Sequence, residues 1–241
     1  MPATPAWPPR SLPRLFVRTP LSDDAAVALD PGQAHYLGQV MRRAVGDELL
    51  LFDGTSGEWL GRIDVAERKR MSVRIERRTR AAETLPDLIL AFAPVKRAQT
   101  DWLVEKATEL GVARLQPVMT RRTNSERVRI ERLEAIAIEA AEQCGRTTLP
   151  AIAAPLALEP FLGGLGGRRL YFADEQGGEP VTSTLAPGPA AILIGPEGGF
   201  AEEERAAIRA APGAVAISLG PRILRAETAA LAALTAYMAL A

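Results

Sequence analysis

The chain has 241 residues, 47% of them hydrophobic and 24% charged, and its 29 basic and 29 acidic side chains leave no formal net charge. That length buries one sizeable core or two modest ones, the composition excludes a disordered or fibrous protein, and the neutral balance argues against whole-surface attraction to nucleic acid. A single cysteine, Cys144, and a single histidine, His35, exclude a disulfide framework, a multi-cysteine zinc site and a His-rich metal site, so no metal is expected.

The first fourteen residues, MPATPAWPPRSLPR, hold five prolines and no continuous apolar stretch. They read as a loose arm, neither a signal peptide nor a membrane span, and the protein as cytoplasmic. From Leu15 to about Arg80 the pattern is one of short strands and turns: RLFV, ELLLFDG, EWLGRIDVA and MSVRIERRT, a small antiparallel barrel or sheet. Between the first two, DPGQAHYLGQVMRR predicts one helix, with Pro31 in its first turn and His35, Val40 and Met41 on one stripe. AAETLPD then breaks the pattern and marks a boundary near residues 81 to 86.

Beyond it strands and helices alternate. LILAFAP reads as a strand, RAQTDWLVEKATELG as a helix stopped by Gly111, and ARLQPVM as a strand. SERVRIERLEAIAIEAAEQCGR has the apolar spacing of an amphipathic helix, RRLYFAD and AAILIG are strand-like, and EEERAAIRAAP is a short helix. AVAISLG leads into a last alanine-rich helix, AETAALAALTAYMALA, too short to cross a bilayer and suited to burial against a core or a second subunit. The order predicts an α/β unit with a mainly parallel sheet and helices on its faces.

Two basic strips stand out, Arg62 to Arg80 and Arg121 to Arg132, nearly all arginine. Each fits a solvated face of alternating charge, and equally an RNA or phosphate partner, because the guanidinium fork pairs with phosphate and stacks on bases.

Two glycine-containing turns follow apolar strands, Gly195 to Gly199 in LIGPEGGF and Gly220-Pro221-Arg222, each leading toward a helix. In a parallel sheet such loops share the carboxyl edge, so the pair is expected to line one pocket. The cluster GGLGG at Gly163 to Gly167 precedes a strand and reads as a flexible loop. Glu197, Glu202, Glu203 and Glu204 would repel a polyphosphate, which disfavours ATP or a dinucleotide. S-adenosylmethionine, which has no phosphate and carries a sulfonium cation, is compatible with a glycine-rich cradle and acidic neighbours.

LIGPEGGF, SLGPRILRAETAA, VEKATELGV, IEAAEQCGR and HYLGQVMRRAVGDELLLFDG, in that setting, closely resemble motifs of the bacterial 16S rRNA uracil-N3 methyltransferases of the SPOUT superfamily, from about Arg14 to the C-terminus. The resemblance implies an arm and PUA-like RNA-binding β-barrel over residues 1 to 82, then a methyltransferase domain over 83 to 241 whose C-terminal segment threads a trefoil knot. It also implies S-adenosylmethionine as cofactor, a homodimer built on the knot and last helix, and 16S rRNA, in the assembled 30S subunit, as substrate. Carried over by position, the cofactor site comprises Leu193, Gly195, Pro196, Glu197, Gly198 and Gly199 with Leu219, Gly220, Ile223, Leu224 and Arg225. Adenine is then held by backbone groups and apolar side chains.

Uracil N3 is a poor nucleophile until its proton leaves, and it must lie in line with the methyl carbon. Arg225 is the candidate to stabilise charge developing on the flanking carbonyl oxygens, or else it pairs with Glu227 to hold the loop. Glu197 and Glu227 are candidate bases that can equally cap backbone N–H groups. Arg14, Arg42, Lys96, Arg121 and Arg122 are the candidate RNA contacts. His35 lies in a matched motif yet suits a structural place, and Cys144, with no histidine near it in sequence, suits a buried thiol better than a nucleophile. A SPOUT enzyme acting on another RNA, such as a tRNA ribose 2'-hydroxyl, a non-catalytic rRNA-binding assembly protein and a nicotinamide dehydrogenase are the competing functions.

Overall fold

A computed structural model describes residues 12–67, 70–123 and 128–240. Most of the proline-rich arm and parts of both basic strips lie outside the described residues. The chain divides into two compact units: one holds residues up to 84 together with 141–149, the other 85–140 and 150–241.

In the N-terminal unit, β1 (Arg14–Phe16), β2 (Ala26–Ala28), β3 (Glu48–Phe52), β4 (Glu58–Glu67) and β5 (Arg70–Arg80) form one sheet in the order β1-β3-β4-β5-β2. All its pairings are antiparallel except β1 with β3, so the expected antiparallel sheet is in fact mixed. Strand alternation is plain in β5, where Met71, Val73 and Ile75 turn inward and Arg74 and Glu76 outward. These join Leu15, Val27, Leu49, Leu51 and Ile63 in one core, each fully buried Leu or Ile contributing roughly 1.5–3 kcal/mol.

The expected single helix is shorter than the sequence suggests. α1 (Pro31–His35) is capped by Asp30, whose side chain accepts from Gln33 N at 2.9 Å, and it gives way to a π turn over Tyr36–Val40. The buried stripe is therefore Ala34 and Leu37 with Met41 partly buried; His35 lies on the solvent side of α1, and Val40 falls within the wider turn, which rotates it off the expected face.

Arg14, expected to contact RNA, is instead a structural residue. Its guanidinium is 6% exposed, and Nε donates to Glu58 Oε2 (2.7 Å), Nη1 to the carbonyls of Ala141 (2.8 Å) and Glu142 (2.9 Å), and Nη2 to that of Arg146 (2.8 Å). Its carbon also stacks over the Phe52 ring. Four bonds to internal acceptors leave it no face for a phosphate. Arg80 reaches the same Glu58 and the Gly145 carbonyl, so the 141–149 segment is sewn to the sheet by arginines. Burial pushes the Glu58 carboxyl up, but Arg80, Arg14 and Thr79 more than offset it and hold it below its ordinary range. Much of the first basic strip is likewise self-paired, Arg62 with Glu48 and Glu76, Arg74 with Asp24 and Asp64.

The second unit carries an eight-stranded sheet, every pairing parallel. Its strands are β6 (Leu88–Phe92), β7 (Arg114–Met119), β8 (Ala151–Ile152), β9 (Leu156–Ala157), β10 (Arg169–Ala173), β11 (Glu179–Pro180), β12 (Ala190–Ile194) and β13 (Ala214–Ser218). The order is β11-β13-β10-β12-β6-β7-β8, with β9 paired to β7. The helices are α2 (Arg97–Glu109), α3 (Ile130–Cys144), α4 (Leu158–Gly163), α5 (Val181–Thr184), α6 (Glu202–Ala210) and α7 (Ala226–Met238).

Both faces of the sheet are covered, which explains its unbroken apolar strands. Leu88, Leu90, Phe92, Ile192 and Ile194 pack against α2, α3 and α7, while Ile89, Ala91, Ala191 and Leu193 pack against α4 and α6. Alanines at 226, 229, 230 and 233 bring α7 close, and the Tyr237 hydroxyl donates to the Gly188 carbonyl. No helix of the described residues is long and apolar enough to cross a membrane.

One turn of the N-terminal unit titrates in an accessible range. Burial raises the Asp53 carboxyl, but donation from Ser56 N, Leu21 N, the Ser56 hydroxyl and Thr55 N outweighs it and lowers the pKa to about 2. A depressed carboxylate stabilises the fold fully above its unfolded value of 3.8 and loses that contribution as pH falls through about 2. Acid unfolding of Asp53→Asn is therefore expected to show a shallower loss of stability between these limits than wild type; identical slopes would remove Asp53 from the acid transition.

Candidate active site

The loops after β6, β7, β10, β12 and β13 all leave the sheet at its carboxyl edge, where an open parallel sheet offers its crevice. The loop after β12 is the most constrained. Gly199 has φ +67°, a left-handed value, and its N–H donates to the Pro196 carbonyl at 2.9 Å. A Cβ there would run into the Glu175 carboxylate, and one at Gly195 would lie 3.0 Å from the Phe200 ring. Gly198 differs, since a Cβ would meet only the aliphatic part of Arg122 at 3.5 Å. The fold therefore favours bare main chain at Gly199 and Gly195, whereas at Gly198 the protein itself leaves room for a side chain.

Four side chains hold this loop. Glu204 is buried on α6, and its carboxylate accepts from Arg121 N (2.7 Å) and Ala201 N (3.0 Å), tying the loop after β7 to the start of the helix. Arg205, beside it, reaches the Phe200 carbonyl at 3.4 Å and pairs with Asp174 and Glu175 after β10. Arg121 pairs with Glu203 at 2.9 Å, and Arg122 donates to the Gly198 carbonyl at 2.7 Å. Glu203 and Glu204 thus have internal partners, while Glu197 and Glu202 stay exposed at the loop and the helix start.

The loop after β13 is open. Gly220 has φ +112° and is exposed, Ile223 is 90% exposed, and Leu219 and Leu224 are half-buried against the core. Arg225 is the exposed N-cap of α7. Glu227, in the first turn of α7, has its Oε2 shielded from solvent with no hydrogen-bond partner. No ion pair joins Arg225 to Glu227 among the described residues, so the alternative role of that arginine, a bridge to Glu227, is not formed. A buried, unpartnered carboxylate oxygen is costly, and such sites are retained where a ligand or a proton meets them.

The structure brings Gly195, Pro196, Glu197, Gly198, Gly199, Leu219, Gly220, Ile223, Leu224 and Arg225 to one sheet edge, with Lys96 exposed after β6 and Arg121 and Arg122 after β7. Leu193 is an exception. Its side chain, expected to face adenine, is fully buried in the core beneath the loop, because its place on β12 points it to the α4–α6 face. Arg42, in the N-terminal unit, is exposed with a left-handed φ of 55°. Cys144 is half-buried near the end of α3, its thiol 4.0 Å from the Ala141 carbonyl. No group of three metal-ligating side chains occurs among the described residues. The sequence marks Glu204 only as one of an acidic group, although its third helical position carries the signal of a capping glutamate, and it gives no sign of Arg205, Asp174 or Glu175 as partners of this loop.

Residues 83–238 match the model of an RNA methyltransferase domain, and residues 29–76 that of an RNA methyltransferase PUA domain. The ribosomal RNA small subunit methyltransferase E of Rickettsia conorii is 33% identical, over 92% of this chain and 93% of its own length. The chain belongs to the ribosomal RNA small subunit methyltransferase E family. The Synechocystis member is 32% identical over 94% of this chain. The member from Neisseria gonorrhoeae, solved with bound S-adenosylmethionine, superposes with a TM-score of 0.87 at 30% identity, covering 95% of this chain and 98% of that one. A Legionella pneumophila protein with the same cofactor bound gives a TM-score of 0.88 at 29% identity. The expected α/β class, parallel sheet and PUA-like domain are those of this family.

The two glycines separate cleanly by stability. Gly199→Ala forces a left-handed alanine, costing about 1–2 kcal/mol before any clash with Glu175, whereas Gly198→Ala is expected to stay within about 0.5 kcal/mol of wild type. Chemical denaturation of both variants checks this; equal stabilities would mean that the loop is not held as described.

Proposed function

We propose that this chain transfers the methyl group of S-adenosylmethionine to N3 of a uridine in the 16S rRNA of the small ribosomal subunit. The observation that carries the reading is the glycine loop after β12, closed to side chains at Gly195 and Gly199 by its own fold and sharing a sheet edge with the β13 loop, which leads into Glu227 and its unpartnered Oε2. Relatives with this fold hold S-adenosylmethionine.

The residues present suit that cofactor. Bare main chain at Gly195–Gly199 and the half-buried Leu219 and Leu224 offer adenine backbone hydrogen bonds and an apolar wall. When bound, the cofactor supplies a methyl carbon made electrophilic by its sulfonium, and the C–S bonding pair stays on sulfur as S-adenosylhomocysteine departs. Glu227 Oε2 takes the N3 proton as the N3–C bond forms, and the exposed Arg225 guanidinium neutralises charge on the uracil carbonyl oxygens. Glu197, exposed on the loop, is the alternative proton acceptor.

Lys96, Arg121, Arg122 and, in the N-terminal unit, Arg42 contact the rRNA backbone; Arg121 and Arg122 do so while bracing the loop. In this reading residues 1 to 82 serve RNA binding and 83 to 241 catalysis, the C-terminal segment is knotted, and the enzyme works as a cytoplasmic homodimer on the assembled 30S particle.

Labelled S-adenosylmethionine incubated with 30S subunits lacking the modification should yield N3-methyluridine on nucleoside analysis of the 16S rRNA; no transfer, or a different methylated nucleoside, overturns the reaction. For Glu227→Gln, kcat is expected to fall about 10²-fold or more with cofactor affinity unchanged, the range of a lost general base. A kcat within twofold of wild type would dismiss Glu227 as the proton acceptor.

A further inference from the structure

Arg205 and Glu175 are used by neither the chemistry nor the rRNA contacts above. Arg205 is only 4% exposed on α6, and a buried guanidinium needs acceptors on several sides. It finds the Phe200 carbonyl at the end of the glycine loop, Asp174 Oδ1 at 3.3 Å from Nε, and Glu175 Oε1, with Glu202 at 3.9 Å. The Nε–Asp174 contact lacks hydrogen-bond geometry, so its attraction is ionic. Asp174, fully buried, also receives Arg209 Nη2 at 2.6 Å, and Arg209 lies over the Phe172 ring.

The consequence falls on Gly199. The Glu175 carboxylate fills the volume that a Cβ at Gly199 would take, so it stands against the bare Cα of the left-handed residue in the loop. Arg205 fixes that carboxylate from behind and the Phe200 carbonyl from beside it, gripping the loop at two consecutive residues. We propose that Glu175, anchored by Arg205, is a positioning residue that presets the Gly195–Phe200 main chain for S-adenosylmethionine. The proposal rests on the cofactor reading of this loop. A loop ordered in advance binds without the entropy cost of ordering, so loss of the grip weakens binding and spares the chemical step.

Glu175 is partly exposed, 38% of its side chain, and on its replacement the buried Arg205 keeps Asp174 and the Phe200 carbonyl as partners. Calorimetric titration of the full chain with S-adenosylhomocysteine is expected to show Kd raised about tenfold in Glu175→Ala and by a smaller factor in Glu175→Gln, which keeps an acceptor for Arg205. In methyl transfer the same variants should raise KM for the cofactor while kcat at saturation stays within about twofold. Arg209→Gln weakens the same buried ion cluster without touching Glu175 or Phe200; it should lower Tm and leave Kd unchanged. An unaltered Kd in Glu175→Ala overturns the proposal, as does a Kd shift in Arg209→Gln equal to that of Glu175→Ala, which would reduce the effect to general loss of stability. Wild-type protein that fails to bind S-adenosylhomocysteine would remove the cofactor reading itself, an outcome distinct from both.

Discussion

The adjacent buried pair Glu204 and Arg205 is the constraint on which the candidate site depends. Neighbours on one helix, they point their charges at different loops: the carboxylate takes the N–H groups of Arg121 and Ala201, and the guanidinium takes Phe200, Asp174 and Glu175. Three loops that leave the sheet separately are thereby fixed to the start of α6. Charges this deeply buried are tolerated only when paired, so the loops cannot drift without leaving an unpaired ion in the interior. A rigid glycine loop follows, and with it a main chain that a small ligand can meet without first ordering it.

The N-terminal unit uses the same device. Arg14 and Arg80 converge on Glu58 and on carbonyls at the end of α3 and in the turn after it, groups that no helix hydrogen bond can satisfy. Arg14, buried with its donors spent on Glu58 and these carbonyls, is unavailable to RNA. The candidate rRNA contacts in this chain are accordingly arginines and a lysine whose side chains remain exposed.

Much of this was legible in the sequence, because long apolar strands and amphipathic helices announce themselves by period. β3, β4, β6, β12 and β13 stand close to where the pattern puts them, and the glycine turn after β12 is where the cofactor loop was expected. Short elements such as β2, β8, β9 and β11 escaped, since two or three residues carry no period and exist only through the strands they pair with. The π turn after α1 escaped because nothing in YLGQV marks an extra residue per turn. Leu193 was misplaced for a subtler reason: the family position is at the site, but strand alternation sends the side chain into the core. The partners of Arg14, Glu204 and Arg205 lie between about 30 and 130 residues away or on neighbouring loops, beyond any local signal. Glu227 was visible as a candidate, but only packing shows that one of its oxygens is buried and unpartnered.

The most direct test of this account is a crystal structure of the full chain with S-adenosylhomocysteine. The adenosine is expected against the main chain of Gly195–Gly199 and the Leu219–Arg225 segment, with the loop backbone unchanged and the Glu175 carboxylate still beneath Gly199. Adenosine bound at another edge of the sheet, or a loop that rearranges to admit it, would contradict a preformed cofactor site.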